Sequence, residues 1–318
     1  MNRKNCLALA LALLMALVLS GCGLGGGSAP ETPAQAEPQP DPEYPVVVGG
    51  IEIGFRPARV VSLAPSLTEK IYDLGHRDRL VGISDHQGDY PASLAGLPAL
   101  GIATMPDIEG ILAQNPDLVF SVSELPADAM EALERRDIPL IIMPSYAHSM
   151  AELEEIYISL STALDGRTTG QIKGERFIRD FNSRIDEIAA GAAGYGPVNA
   201  VYLRALDFTM ATGDTLEGEL MARLGFVNIA AGQTGWVFDP EEAAGEGRAL
   251  FTSIEMIFLD ERYVSMEALE QSTFWQGLPS VINDRYTKID SQVFERQSLR
   301  LLDQLAVMAE AIQLKMDN

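Results

Sequence analysis

The hydrophobic pattern divides the chain into blocks of different character. Residues 7–19 form one uncharged, leucine-rich run, and residues 23–45 show no hydrophobic period. From residue 46 onward, short apolar runs alternate with stretches whose apolar residues recur every three to four positions. That is the signature of β-strands alternating with amphipathic helices. Val46-Val47-Val48 and Ile51-Glu52-Ile53 flank Gly49-Gly50 and predict a hairpin. Further strands are predicted at 59–63, 80–83, 117–121, 139–143, 199–203 and 286–289, and 254–259 reads as a strand or a helix-to-strand passage. Helices are predicted at 65–75, with Ser66 available as a cap, and at 108–114, 127–136, 216–224 and 297–315. The longest helical stretch, 150–190, is interrupted near Asp165-Gly166, and its second half carries Phe177, Phe181, Ile185 and Ile188 on a helical period. Such alternation implies parallel sheets with crossover helices. The expected fold is α/β, with lobes at 46–165 and 193–318 joined by one long helix over 166–192.

The N-terminal block changes the picture of where the chain works. Arg3 and Lys4 precede the apolar run, whose thirteen residues would rise only about 20 Å as a helix, short of the ~30 Å hydrocarbon core. Residues 1–21 therefore read as a signal peptide rather than a membrane span. Leu19-Ser20-Gly21-Cys22 resembles the bacterial lipobox, which implies acylation of Cys22 and an extracytoplasmic, membrane-anchored protein. An ordinary signal peptide with an incidental cysteine is the alternative. Cys6 leaves with the leader, so no disulfide forms within the mature chain. The Gly- and Pro-rich segment 22–45 reads as a flexible-to-extended tether. With 23 Lys and Arg against 45 Asp and Glu, the formal net charge is −22, which excludes nucleic acid as a partner.

Candidate chemistry is sparse. No Ser/His/Asp, Cys/His or phosphate-loop constellation occurs, so the reading is a binder with no catalytic residues, no cofactor and no metal site of its own. Three scattered histidines lack the spacing of a metal site. His76, after a helix, reads as a surface residue favoured by the helix dipole, and His148 as a capping or surface residue. Loops that follow strands are where a cleft between such lobes is built. This places Asp85, His86 and Tyr90 after 80–83, Tyr146 after 139–143, and Arg204 after 199–203. Trp236, in a Gly-flanked loop, reads as a ligand-facing aromatic, whereas Trp275 reads as packing.

Four segments then appear in order: Arg59-Val-Val-Ser-Leu-Ala-Pro-Ser-Leu-Thr-Glu69; Asp78-Arg-Leu-Val-Gly82 with Asp89-Tyr90-Pro91; Asp107-Ile-Glu-Gly-Ile-Leu-Ala-Gln-Asn-Pro-Asp-Leu-Val119; and Phe274-Trp275 before Leu278-Pro279-Ser280-Val281. Together they resemble the periplasmic-binding family that serves vitamin B12, ferric siderophore and haem ABC importers. Phe294-Glu295-Arg296 is similar to the vitamin B12-binding branch, and Gln292 departs from it where that branch carries an acid. The resemblance implies two Rossmann-like lobes, a ligand cleft that Arg296 faces, and a monomer that delivers its ligand to a permease dimer with ATPase subunits. It also implies that Glu109 and Glu255, each expected early in a helix, dock one lobe apiece onto that permease. The ligands it implies are a corrinoid first, then haem or a siderophore. An enzyme or a sensor lipoprotein on the same scaffold is the alternative.

Overall fold

The computed structural model describes residues 41–85, 90–236, 239 and 247–316. The leader, Cys22 and His86 lie outside the described residues. The hairpin pairs β1 (Val46–Val48) with β2 (Ile51–Ile53) and is followed by β3 (Val60–Ser62), β4 (Leu80–Ile83), β5 (Gly101–Ile102), β6 (Met105–Pro106), β7 (Leu118–Ser121) and β8 (Leu140–Ile142). Strands β4-β3-β7-β8 form an all-parallel sheet in that order. The second half supplies β9 (Val198–Ala205), β10 (Thr209–Met210), β11 (Phe226–Asn228), β12 (Met256–Asp260) and β13 (Tyr286–Ile289). Here β11-β9-β12-β13 repeat the same parallel order, with β10 added antiparallel on β9. Strands such as β7 and β12 are buried at every position, because helices cover both faces of a parallel sheet, and they therefore show no alternation in sequence.

The repeat extends to a detail of side-chain chemistry. Just before β7, Asp117 donates its amide to Arg59 O at 2.8 Å, and its carboxylate accepts from the amides of Ala58 and Arg59 at 2.7 and 2.9 Å. Just before β12, the Glu255 amide donates to Asn199 O at 2.8 Å, and its carboxylate accepts from the Asn199 amide at 2.9 Å. Both acids tie the entry of one strand to its neighbour.

The lobes are joined through two antiparallel helices. Met150–Asp165 is capped by Ser149, whose hydroxyl accepts from the Glu152 amide while the Glu152 carboxylate accepts from His148 N, a reciprocal cap. It ends at Gly166, whose φ of +96° reverses the chain where a side chain would be strained. The 26-residue helix Arg167–Ala192 then runs back, roughly 39 Å long. At Gly170 an added Cβ would lie 2.3 Å from Ser161 O, so the two helices cross in close contact. Ile178, Phe181 and Ile185 form its buried stripe. Its start packs on Met150–Asp165 and it also packs against the terminal helix Leu301–Met316, so one rigid element carries core contacts in both lobes.

Four expectations are corrected. The first helix, Pro65–Asp73, is capped at Ala64 with Pro65 in its first turn, and Ser66 is buried inside it. The terminal helix starts at Leu301, because Gln297 adopts a left-handed φ of +50° after a short helix, Ser291–Arg296. Residues 41–45 belong to the folded body rather than the tether: Tyr44 is 7% exposed, its hydroxyl donates to Ala163 O at 3.1 Å, and the Glu43 carboxylate accepts from Thr168 N at 2.7 Å. His76 is not a surface residue. It is 4% exposed and lies 2.8 Å from Asp165, which also pairs with Arg79 and Lys173, each at 3.0 Å.

Candidate ligand-binding cleft

The carboxyl ends of the two sheets face one another, and the loops leaving them enclose a cavity of about 470 Å3, within the usual range for small-molecule sites. The first lobe contributes Pro65 and Ser66 after β3, and Ser145, Tyr146 and His148 after β8. The second contributes Arg204 from the end of β9, Trp236, Arg262 after β12, and Gln292, Glu295 and Arg296 after β13.

Trp236 is fixed through its backbone. The neighbouring Gly235 has a φ of +78° and donates its amide to Asp214 at 2.7 Å, and Trp236 O accepts from the Met210 amide at 2.8 Å. Its ring stacks on Arg204, whose guanidinium carbon lies 3.7 Å from the ring centroid, and meets the fully buried Tyr202 edge-on. Arg204 also donates to Asp260 at 3.3 Å. Burial pushes the carboxyls of Asp260 and Glu217 above their usual range, against the pull of nearby Arg204. Burial and the neighbouring Glu217 likewise drive the Tyr146 phenol far upward, so it stays a hydrogen-bond donor. It gives that hydrogen bond to Glu217 across the cleft, at 2.7 and 2.8 Å from the two carboxylate oxygens. Glu217 itself sits in the first turn of Leu216–Arg223, where the helix dipole favours a negative charge.

Each cation of the cleft thus has an acid beside it. Arg204 pairs with Asp260, Arg262 with Glu295 at 2.8 Å, and Arg296 with the buried Glu69. The wall is aromatic and rich in polar groups, yet carries no excess of positive charge among the described residues.

Of the expected site residues, Tyr146, Arg204, Trp236 and Arg296 line the cavity together. Asp85 and Tyr90 do not. Asp85 is exposed, and Tyr90 lies behind the wall with its hydroxyl 2.5 Å from Ser84 Oγ and its ring 5.6 Å from the Arg296 guanidinium carbon. His148 lines the cleft beside Tyr146, at 5.2 Å between ring centroids, so its reading as a cap alone is incomplete. Trp275 is fully buried and donates to Leu206 O at 3.0 Å, as a packing residue does. Glu109 is exposed in the first turn of the helix Ile108–Ala113. Glu255 is not early in any helix: Gly247–Thr252 ends before it, and its carboxylate is taken up by Asn199. Sequence reasoning missed Glu69, Glu217, Asp260, Arg262 and Glu295. Arg262 follows a strand as the cleft rule requires, but Glu69, Glu217 and Glu295 lie inside helices and gave no such signal.

Two parallel lobes in the same strand order, one bridging helix and a cleft at the strand ends are what the four sequence segments imply, and a family model described as periplasmic binding protein matches residues 60–293. The chain belongs to that family. It is 25% identical over 271 residues to the ABC transporter substrate-binding lipoprotein YvrC of Bacillus subtilis, covering 82% of each chain. It is 26% identical over 254 residues to the vitamin B12-binding protein of Vibrio cholerae, covering 78% of this chain and 87% of that one. Among solved structures, a possible iron-binding periplasmic solute-binding protein from Staphylococcus epidermidis superposes with a TM-score of 0.66 at 18% identity, over 81% of this chain and 99% of that one. This last likeness shows the fold.

Proposed function

We propose that this chain is the lipid-anchored solute-binding component of an ABC importer, holding a flat metal chelate whose periphery carries no net charge, a corrinoid in the first place. Haem, which brings two propionate charges, or a hydroxamate siderophore, which is not flat, is the second choice. The observation that supports the reading is the pairing of each cleft arginine with an acid, beside the Trp236 and Tyr146 rings. A trianionic catecholate chelate would have to displace those acids, whereas amide or hydroxyl groups can share their hydrogen bonds without adding charge. The aromatic faces suit a planar macrocycle. The similarity to a vitamin B12-binding protein supports the same ranking.

Native mass spectrometry of the mature protein against cyanocobalamin, haemin, a ferric hydroxamate and a ferric tricatecholate tests it. Cyanocobalamin is expected to add its full, unchanged mass at the lowest concentration, and the tricatecholate not to bind. Preferential uptake of the tricatecholate removes the charge argument, and conversion of any ligand on incubation makes the protein an enzyme instead. The ligand then passes to a permease dimer, for which Glu109 is the docking acid of the first lobe.

A further inference from the structure

Arg296 lines the cleft from the second lobe, but the first lobe holds it in place. Glu69 and Lys70, consecutive residues of the helix Pro65–Asp73, are buried at 1% and 0% exposure. The Glu69 carboxylate accepts from the Arg296 guanidinium, from Ser298 Oγ at 2.6 Å and from Arg300 at 3.3 Å. Lys70 Nζ donates to the Arg296 carbonyl at 2.5 Å, at the end of the helix Ser291–Arg296. One turn further along, the Asp73 carboxylate accepts from the Leu299 amide at 2.8 Å. A reciprocal grip comes from the other side: the Gln297 side-chain amide, fully buried, bonds both the amide and the carbonyl of Ala147, at 2.7 and 2.8 Å. Ala147 adjoins Tyr146. Residues 296–300 of one lobe are therefore stitched to the other at four points, and the stitches adjoin two cleft residues, Arg296 and Tyr146. Burying an acid and an amine this completely is costly unless both are bonded, and here both are bonded to the opposite lobe.

We propose that Glu69 and Lys70 are positioning residues for ligand capture: they clamp residues 296–300 and so fix Arg296, and the angle between the lobes, before a ligand arrives. The ligand arm of the test rests on the function proposed above, and the exchange arm does not. In the ligand-free mature protein, Glu69→Gln is expected to speed hydrogen exchange at the Ala147 and Leu299 amides at least tenfold, while the Leu63 amide, bonded to Phe120 O within the first lobe, stays unchanged. Ser298→Ala, which removes one donor and keeps the charges, gives a smaller rise at the same two amides and serves if Glu69→Gln does not fold. With cyanocobalamin and haemin as probes, Glu69→Gln is expected to weaken whichever binds at least tenfold. Arg296→Lys should add little on top of it, since both remove the same presentation of the guanidinium. Exchange that rises equally at Leu63, or at none of the three amides, overturns the clamp. So does unchanged affinity in a variant whose two marker amides have sped up. If neither probe binds the wild type, the ligand reading fails and the exchange result alone decides.

Discussion

Arg204 and Trp236 form a single unit, with a cation stacked at 3.7 Å on a ring and anchored from the far side by Asp260. A stack of this kind is worth about 0.5–2 kcal/mol depending on its exposure, and both residues line the cleft. Trp236→Ala should therefore weaken ligand binding about ten- to a hundredfold, read by titration, with Trp275→Phe as a control that lowers stability rather than affinity. Equal affinity in Trp236→Ala would remove the ring from the binding site. Tyr146 makes a different kind of prediction, because its hydroxyl serves a buried carboxylate. Burial raises the Glu217 pKa, so in the window above the unfolded value the folded protein keeps a proton that the unfolded chain has lost. Stability therefore falls as pH rises through that window, and the phenol limits the loss by favouring the charged form. Tyr146→Phe should widen the window upward, destabilising the protein by about 1–3 kcal/mol at pH 7.5 and by much less at pH 4, where Glu217 is protonated in both states. Urea unfolding at the two pH values checks this, and a loss independent of pH would mean that Glu217 is not the partner that matters.

Elements whose identity is local were legible in the sequence. The hairpin at Gly49-Gly50, strands β3, β4, β7, β8, β9, β12 and β13 and the break at Gly166 each follow from a few neighbouring residues, whereas the short strands β5, β6, β10 and β11 were not foreseen. Partnerships across the chain were not. His76 looks like the end of an exposed helix until Asp165, eighty-nine residues away, is seen to meet it. Gln297 reads as the start of a helix because nothing nearby says that its amide will be consumed by Ala147 in the other lobe. Glu255 sits in a helix-to-strand transition whose charge alone does not announce the bonds it makes with Asn199, which parallel those of Asp117 with Arg59. The cleft was half legible for the same reason: Tyr146 and Arg204, which follow strands, were found, and acids within helices were not. The junction of the two long helices carries its own test. Burial opposes the charge on Asp165, but the hydrogen bonds from His76 and Lys173 outweigh it and hold the carboxyl well below the usual range. The unfolded chain takes up a proton first as pH falls, so the stability from Asp165 is complete above about pH 4 and is lost below it. Asp165→Asn should lower stability at pH 7 by about 2 kcal/mol and flatten the acid limb of the stability curve below pH 4. An acid limb as steep as the wild type's would place the titrating group elsewhere.

At the scale of the molecule, the anchor proposed at Cys22 would reach the folded body through residues 41–45, where the Glu43 carboxylate accepts from Thr168 N at the start of the bridging helix and the Tyr44 hydroxyl donates to Ala163 O of the helix before it. Cys22→Ala should release the mature protein into the soluble fraction without altering its ligand affinity, and full retention in membranes would count against the anchor. Docking can be assigned more sharply, because the structure separates the two acids proposed for it. Glu109 is exposed in the first turn of its helix, with its carboxylate free to meet an arginine fork in bidentate geometry. Glu255 is half-buried and occupied by Asn199. Glu109→Ala should leave unfolding and ligand affinity unchanged while weakening binding to the permease by about 2–5 kcal/mol, part of it the cost of the arginine left unpaired. Glu255→Ala should do the reverse, lowering stability by about 1–3 kcal/mol through the unsatisfied Asn199 amide while the folded fraction still docks. Permease pull-down, uptake and thermal unfolding measured on both variants separate the roles. Full uptake by Glu109→Ala removes that acid from the interface, and a docking defect in stably folded Glu255→Ala restores that residue to it.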